Sequence, residues 1–275
     1  MTFEFGKLKM REVPSPPLMV LYGGPGIGKT AFGVGTSRES GFKVGKENHL
    51  LLNVDSRGAD RLTCQRATDL LGKSIDSTQD LNTVFKNLAE KENPITWLVV
   101  DDLTSLEEMF VREVCTENGV SEIGKIEYGK GYELARTKWH HLFKLIKQLQ
   151  EIKPIAILLI GHTKVDMKKD PMSDSYSRHD LQLDKRSKEI IKKSVDLIGF
   201  AHRITFTAPV KGAFNKDEVK AVGDGKRVIS FAPDMEGFES KDRFNLPKEI
   251  DLEWAVFEKE LNNANNNTKK NKEVK

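Results

Sequence analysis

The sequence predicts an α/β protein with a mostly parallel sheet flanked by helices and an antiparallel extension at its C-terminal end. Three observations carry that expectation. Short apolar runs recur along the chain: LMVLY (18–22), HLLLNVD (49–55), TWLVVDD (96–102) and IAILLIG (155–161). Strands covered on both faces look like this. Segments of helical spacing lie between them, the alternation of a parallel sheet. After about residue 200 the pattern shifts to a half-buried strand, FAHRITFT (200–207), and a hairpin turn, GDGK (223–226), which suit antiparallel pairing.

The elements follow in order. VPSPP closes a lead-in over residues 1–17, and LMVLY runs into a cluster of glycines. Residues 29–37 are expected to be helical, and the strand at 49–55 to turn at Arg57-Gly58. Over 79–91, Leu81, Val84, Phe85 and Leu88 fall on one helical face. After the strand at 96–102, Thr104 and Glu107 have the spacing of a capping box for a helix to about Glu117. GKIEYGKGYE (124–133) is expected to be a loop. From Ala135 to Glu151, Trp139, Leu142, Ile146 and Leu149 form one stripe, with Trp139 read as core, and Pro154 ends the helix. Residues 163–183 have no period and are expected to form a long functional or mobile loop, ahead of a helix over 184–196. The Asn- and Lys-rich tail, 261–275, is expected to be disordered, leaving one folded domain over 18–260.

Composition narrows the function. A net charge of +3 over 275 residues does not describe a whole-molecule polyanion binder, so any nucleic-acid site must be a local patch. No apolar run is long enough to span a membrane, and MTFEFGKLKMREV lacks a signal-peptide core. The two cysteines, Cys64 and Cys115, have no metal-ligand or redox spacing. These features predict a cytoplasmic protein with no membrane partner.

The glycine cluster carries the chemistry. Gly23, Gly24, Pro25, Gly26, Ile27, Gly28, Lys29 and Thr30 fit G-x-x-x-x-G-K-[ST] between a predicted strand and a predicted helix, and with Ala31 they are the candidate nucleotide-binding residues. Glycines let consecutive N–H groups turn inward round a polyphosphate, and a following helix adds its free N–H groups. Lys29 supplies a charge for the β- and γ-phosphates, and Thr30 a hydroxyl for Mg²⁺. Asp101, ending WLVVD on an expected neighbouring strand, is the second candidate ligand for that ion. Asp102 is a candidate base for the attacking water, or a turn residue before the helix. His162 follows IAILLIG at the carboxyl edge, where ligands bind in such sheets. It is a candidate γ-phosphate sensor, or a hydrogen-bonded loop histidine.

On GGPGIGKT, WLVVDDLTSL, YGKGYELARTKWHHLFKLIKQL, ILLIGHTK and ESKDRFNLP, the chain resembles the phage-borne AAA-family nucleotide-binding proteins of the RecA-like P-loop lineage, which include the Sak-type single-strand annealing proteins. The resemblance implies a RecA-like core that binds and hydrolyses ATP with Mg²⁺. It implies assembly into rings or filaments acting on single-stranded DNA in recombination, with a single-strand-binding protein as a further partner and the host cytoplasm as the location. Lys241, Arg243 and Pro247 match that lineage's K-x-[KR]…P stretch, which reaches a neighbour's nucleotide; solvated charges beside a strand are the alternative. VDSRGAD departs from the lineage, putting Asp55 at the strand-ending aspartate and Arg57 where a catalytic glutamate is expected. Asp55 or Asp102 then serves as base, or turnover is slow, or the protein mainly binds nucleotide.

By position, the lineage's DNA loops fall at about 121–137 and 163–185. The first holds Lys125, Tyr128, Lys130, Tyr132 and Arg136. The second holds Lys164, Lys168, Lys169, Tyr176, Arg178 and His179. Cations interleaved with aromatics suit a strand-tracking groove. Glu122, Glu127, Asp166, Asp170 and Asp174 dilute both, so solvated loops are the other reading. The rival functions are a nucleotide-switched assembly module without DNA, and a translocating motor.

Overall fold

The computed structural model describes residues 16–54, 58–169, 174–211, 217–223, 225–232 and 237–273. Asp55 and Arg57, and with them one base candidate and half of an expected turn, lie outside these residues.

Five strands form the parallel centre: β1 (Leu18–Gly23), β2 (His49–Asn53), β4 (Trp97–Asp101), β5 (Ala156–Lys168) and β7 (Leu197–Arg203). A short β3 (Gln65–Arg66) adds to the β2 edge and runs into α2 (Ala67–Leu71). The central order is β7-β1-β5-β4-β2-β3. Beyond β7 the sheet is extended by β10 (Arg227–Ser230) and β12 (Glu249–Asp251), and β11 (Lys241–Asp242) pairs with the start of β7, all antiparallel. The expected α/β class, with its antiparallel C-terminal part, is what the chain forms.

Side-chain alternation divides the core. Leu18, Val20 and Tyr22 of β1 face α3 (Thr78–Glu90), α4 (Leu103–Glu117) and α5 (Lys130–Ile152), whose Phe85, Phe110 and Trp139 are buried there. Met19 and Leu21 face α1 (Lys29–Gly33) and α7 (Trp254–Glu273) through Phe32, Trp254 and Phe257. Each large apolar side chain buried in these layers contributes roughly 1.5–3 kcal/mol. Trp139, fully buried edge-on to Phe110, is core, as its place on the α5 stripe predicts.

Several elements differ from expectation. α1 ends at Gly33 rather than 37. Gly33 is pressed against Val99, Leu158 and Ile160, and Gly35 turns left-handed at φ 73°. Asp102, not Thr104, caps α4 by accepting from the N–H groups of Thr104 and Ser105, while Glu107 accepts from Asp184 N–H. α5 starts at Lys130, five residues before the expected Ala135, because Gly131 fits beneath Ile123 and Ile126.

The segment 163–183 is no open loop. β5 runs on to Lys168 and forms a hairpin with β6 (Tyr176–Leu181), in register from Thr163↔Leu181 to Lys168↔Tyr176. Its backbone ladder and ion pairs replace the apolar alternation that would have marked a strand. α6 (Lys185–Ser194) follows. FAHRITFT divides between β7 and β8 (Phe206–Lys211), which pairs with β9 (Asp217–Val222) in a separate two-stranded sheet. GDGK therefore links two sheets instead of closing a hairpin between β9 and β10. α7 extends through Glu273 and buries Leu261, so helix crosses the tail expected to be disordered; the Trp254–Phe257–Leu261 stripe holds its first turns in the core.

Candidate nucleotide site

β1 brings the chain to the carboxyl edge of the sheet at Gly23, where a Cβ would overlap the Ala201 carbonyl oxygen of β7. Glycine is what lets the two strands stay paired there. Gly26 (φ 70°) and Gly28 (φ 111°) then take left-handed turns that other residues adopt only with strain. Outside the helices and strands, the N–H groups of Gly26, Ile27 and Gly28 have no backbone carbonyl partner among the described residues. That leaves a row of free donors suited to an anion. α1 has only five residues, so the loop's own amides carry this role rather than the helix dipole.

Lys29 is buried, and its Nζ donates to the carbonyls of Gly23 and Gly24, both at 3.0 Å. Burial lowers its pKa below the usual lysine range, opposed by the charges of Asp101 and Asp102. Thr30 Oγ1 donates to Asp101 Oδ2 at 2.7 Å. Asp101 is not on a strand next to β1, as expected, but one strand further on: β5 lies between. Burial pushes the Asp101 carboxyl above its ordinary value, the Thr30 hydrogen bond opposes this, and the Asp102 charge adds to it. A hydroxyl and a carboxylate 2.7 Å apart beside the lysine are hard oxygen donors of the kind Mg²⁺ takes, so these residues fit that ion.

The intervening β5 places His162 level with Gly23 in the sheet. His162 Nε2 lies 3.5 Å from Asp102 Oδ2. Burial works to raise the Asp102 pKa, but His162 and the N–H groups of Ser105 and Thr104 hold the carboxyl below its ordinary value. Its Oδ1 is taken up by the helix cap, while Oδ2 faces His162 and accepts from the Ser105 hydroxyl at 3.3 Å. The structure thus brings Lys29, Thr30, Asp101, Asp102 and His162 together.

It does not bring Lys241 and Arg243 to them. Both lie by the start of β7, at the opposite edge of the sheet from the phosphate loop. Lys241 Nζ donates to the carbonyls of Lys192 and Val195 at the end of α6, and Arg243 pairs with Asp196 at 3.1 Å. Among the expected DNA residues, Tyr128 is fully exposed, Tyr132 lies beneath Arg186 and Arg136 pairs with Glu133. In the hairpin, Lys164 pairs with Asp166, Arg178 with Glu239, Lys168 sits over Tyr176, and His179 stacks on Phe200. Lys125 hydrogen-bonds Ser121, Lys130 begins α5, and Lys169 is exposed.

One neighbour of the loop was not legible in the sequence. Arg227 of β10 donates to the Ile27 carbonyl at 3.2 Å across 200 positions of chain, and RVIS carries no local mark of it. A cavity of about 850 Å³ adjoins the other side of the loop, between Gly24–Ile27, Thr163 and the end of β7. Among the described residues no cluster of His, Cys, Asp and Glu could hold a metal of its own, both cysteines are free, and no helix is long and apolar enough to cross a membrane.

A search of curated proteins returns no match. A family model for an AAA domain matches residues 15–244. AAA domains bind nucleotide, usually with Mg²⁺, and are generally ATPases. Since the match takes in the whole parallel sheet and the loop that opens it, the chain belongs to the AAA-domain family of P-loop nucleotide-binding proteins.

Proposed function

We propose that this protein binds and hydrolyses Mg·ATP and couples the reaction to single-stranded DNA in a phage-type recombination step, annealing or strand pairing. The observation that carries the reading is the convergence of Lys29, Thr30, Asp101, Asp102 and His162 on one glycine-lined turn. Lys29 and the loop amides hold the triphosphate, and Thr30 and Asp101 would hold the ion, which would supply positive charge beside the phosphate oxygens. Asp102 Oδ2 orients the attacking water, and His162 reads the γ-phosphate. His162 lies on the strand that becomes the hairpin, so its position bears on Lys164, Lys168 and Tyr176, the residues we assign to the DNA backbone and bases. Arg243 of a neighbouring copy would complete the site in a ring or filament.

A second reading, an assembly module switched by nucleotide, is favoured by one feature: the hairpin cations Lys164 and Arg178 are paired with Asp166 and Glu239. One experiment separates the two. ATP turnover is measured with and without a single-stranded oligonucleotide at two salt concentrations. Strong stimulation that fades with salt supports the DNA role. Unchanged turnover with nucleotide-dependent sedimentation supports the module.

A further inference from the structure

We propose that Arg227 is a positioning residue for the nucleotide's phosphates, acting through the outer wall of the phosphate loop. The inference rests on the nucleotide reading above and ties the antiparallel extension of the sheet to that site.

The argument starts from one peptide group. In a planar trans peptide the C=O of one residue and the N–H of the next point in opposite directions. Arg227 Nη1 donates to the Ile27 carbonyl at 3.2 Å, from outside the loop. The partner N–H in that peptide belongs to Gly28, so holding the carbonyl outward turns the Gly28 N–H inward. A hydrogen bond on the carbonyl also polarises the peptide and strengthens its N–H as a donor. The same Nη1 lies 2.8 Å from where a Cβ on Gly28 would stand, so the guanidinium is seated against the loop itself.

Arg227 is well held. Leu252 N–H donates to its carbonyl at 2.9 Å, β10 pairs with β7 on one side and β12 on the other, and the guanidinium lies 5.4 Å from the centre of the Phe42 ring. Its charge is also distinctive. Nearby, Lys226 pairs with Asp251 at 2.8 Å, Arg38 pairs with Glu253, and Lys46 pairs with Glu258 at 2.7 Å. Among the described residues no carboxylate pairs with Arg227. A half-buried cation without a carboxylate beside a row of free amides adds to the attraction for a polyphosphate.

The test uses R227A and R227K in the full chain, with a fluorescent ATP analogue and Mg²⁺. Competition by inorganic tripolyphosphate and by adenosine gives the second readout. R227A is expected to weaken the analogue and tripolyphosphate about tenfold or more, a change of about 1.4 kcal/mol per factor of ten, and to leave adenosine unchanged. R227K, which keeps the charge and one donor, is expected to recover most of that loss. Should R227A melt early, R227K against wild type on the same competitors still reads the effect in a folded protein. Analogue affinity within twofold of wild type in R227A, an equal loss for adenosine, or a lysine that restores nothing overturns the inference. K29A separates the two levels: if it too binds normally, the phosphate-loop reading fails; if it alone loses binding, only the role of Arg227 fails.

Discussion

Replacing Thr30 with valine keeps the branched side chain and removes one hydroxyl. That hydroxyl is the only hydrogen-bond donor to the Asp101 carboxylate among the described residues, at 2.7 Å, and Asp101 is 3% exposed. Leaving a buried acceptor unpaired costs about 1–3 kcal/mol, and more when it is charged. For a chain of this size that is a fall of roughly 3–10 °C in melting temperature. The loss should depend on pH. Burial already pushes the Asp101 carboxyl above its ordinary value with Thr30 opposing, so the valine pushes it higher. A carboxyl raised in the fold contributes its stability in full below the unfolded value of about 3.9, and loses it as pH rises through the folded value. In Thr30→Val the loss runs from the same unfolded value to a higher folded value, so the deficit against wild type is larger at pH 7.5 than at pH 4.5. Urea unfolding at pH 7.5 and 4.5, with Thr30→Ser as the hydroxyl-keeping control, measures it. A valine variant as stable as wild type at pH 7.5, or equally impaired at both values, would refute the assignment.

Gly23→Ala drives a methyl into the Ala201 carbonyl and should cost about 1–3 kcal/mol as β1 and β7 part; thermal unfolding without nucleotide checks this. His49 is buried against Trp97 and Trp254, and its Nδ1–H donates to the Gly33 carbonyl at 2.8 Å. Burial lowers its pKa to about 4, helped by the Lys46 charge and opposed by that carbonyl. The unfolded chain takes up this proton first, so stability falls by about 3 kcal/mol as pH drops from about 6.5 to 4; His49→Phe should flatten that slope in urea titrations. Arg243→Ala should leave nucleotide affinity unchanged and lower turnover only at protein concentrations that permit assembly, which turnover per molecule against concentration reads out; a variant with wild-type turnover throughout removes the neighbour-supplied arginine.

The parallel strands were legible because helices cover both sheet faces, so LMVLY and WLVVD are apolar without interruption. The phosphate loop was legible because its geometry demands glycines at fixed offsets, one of them against Ala201. The hairpin was not. Val165 and Met167 are exposed among charges, and what holds β5 to β6 is the main-chain ladder, which no side-chain period records. The insertion of β5 between β1 and β4 was hidden for another reason: strand order is a property of crossovers, and every buried strand carries a similar apolar run. Lys241 resembled a finger by spacing, yet two carbonyls at the end of α6 engage its ammonium.

β5 does not stop at the sheet edge. It leaves the packed interior after Gly161, passes His162 and continues as one extended strand to Lys168. Six paired positions brace it against β6, so from His162 to Lys168 the described arm is one continuous strand. The strand that pairs with β1 and β4 inside the sheet thus carries Lys164 and Lys168 outside it, on a stem anchored by two neighbours.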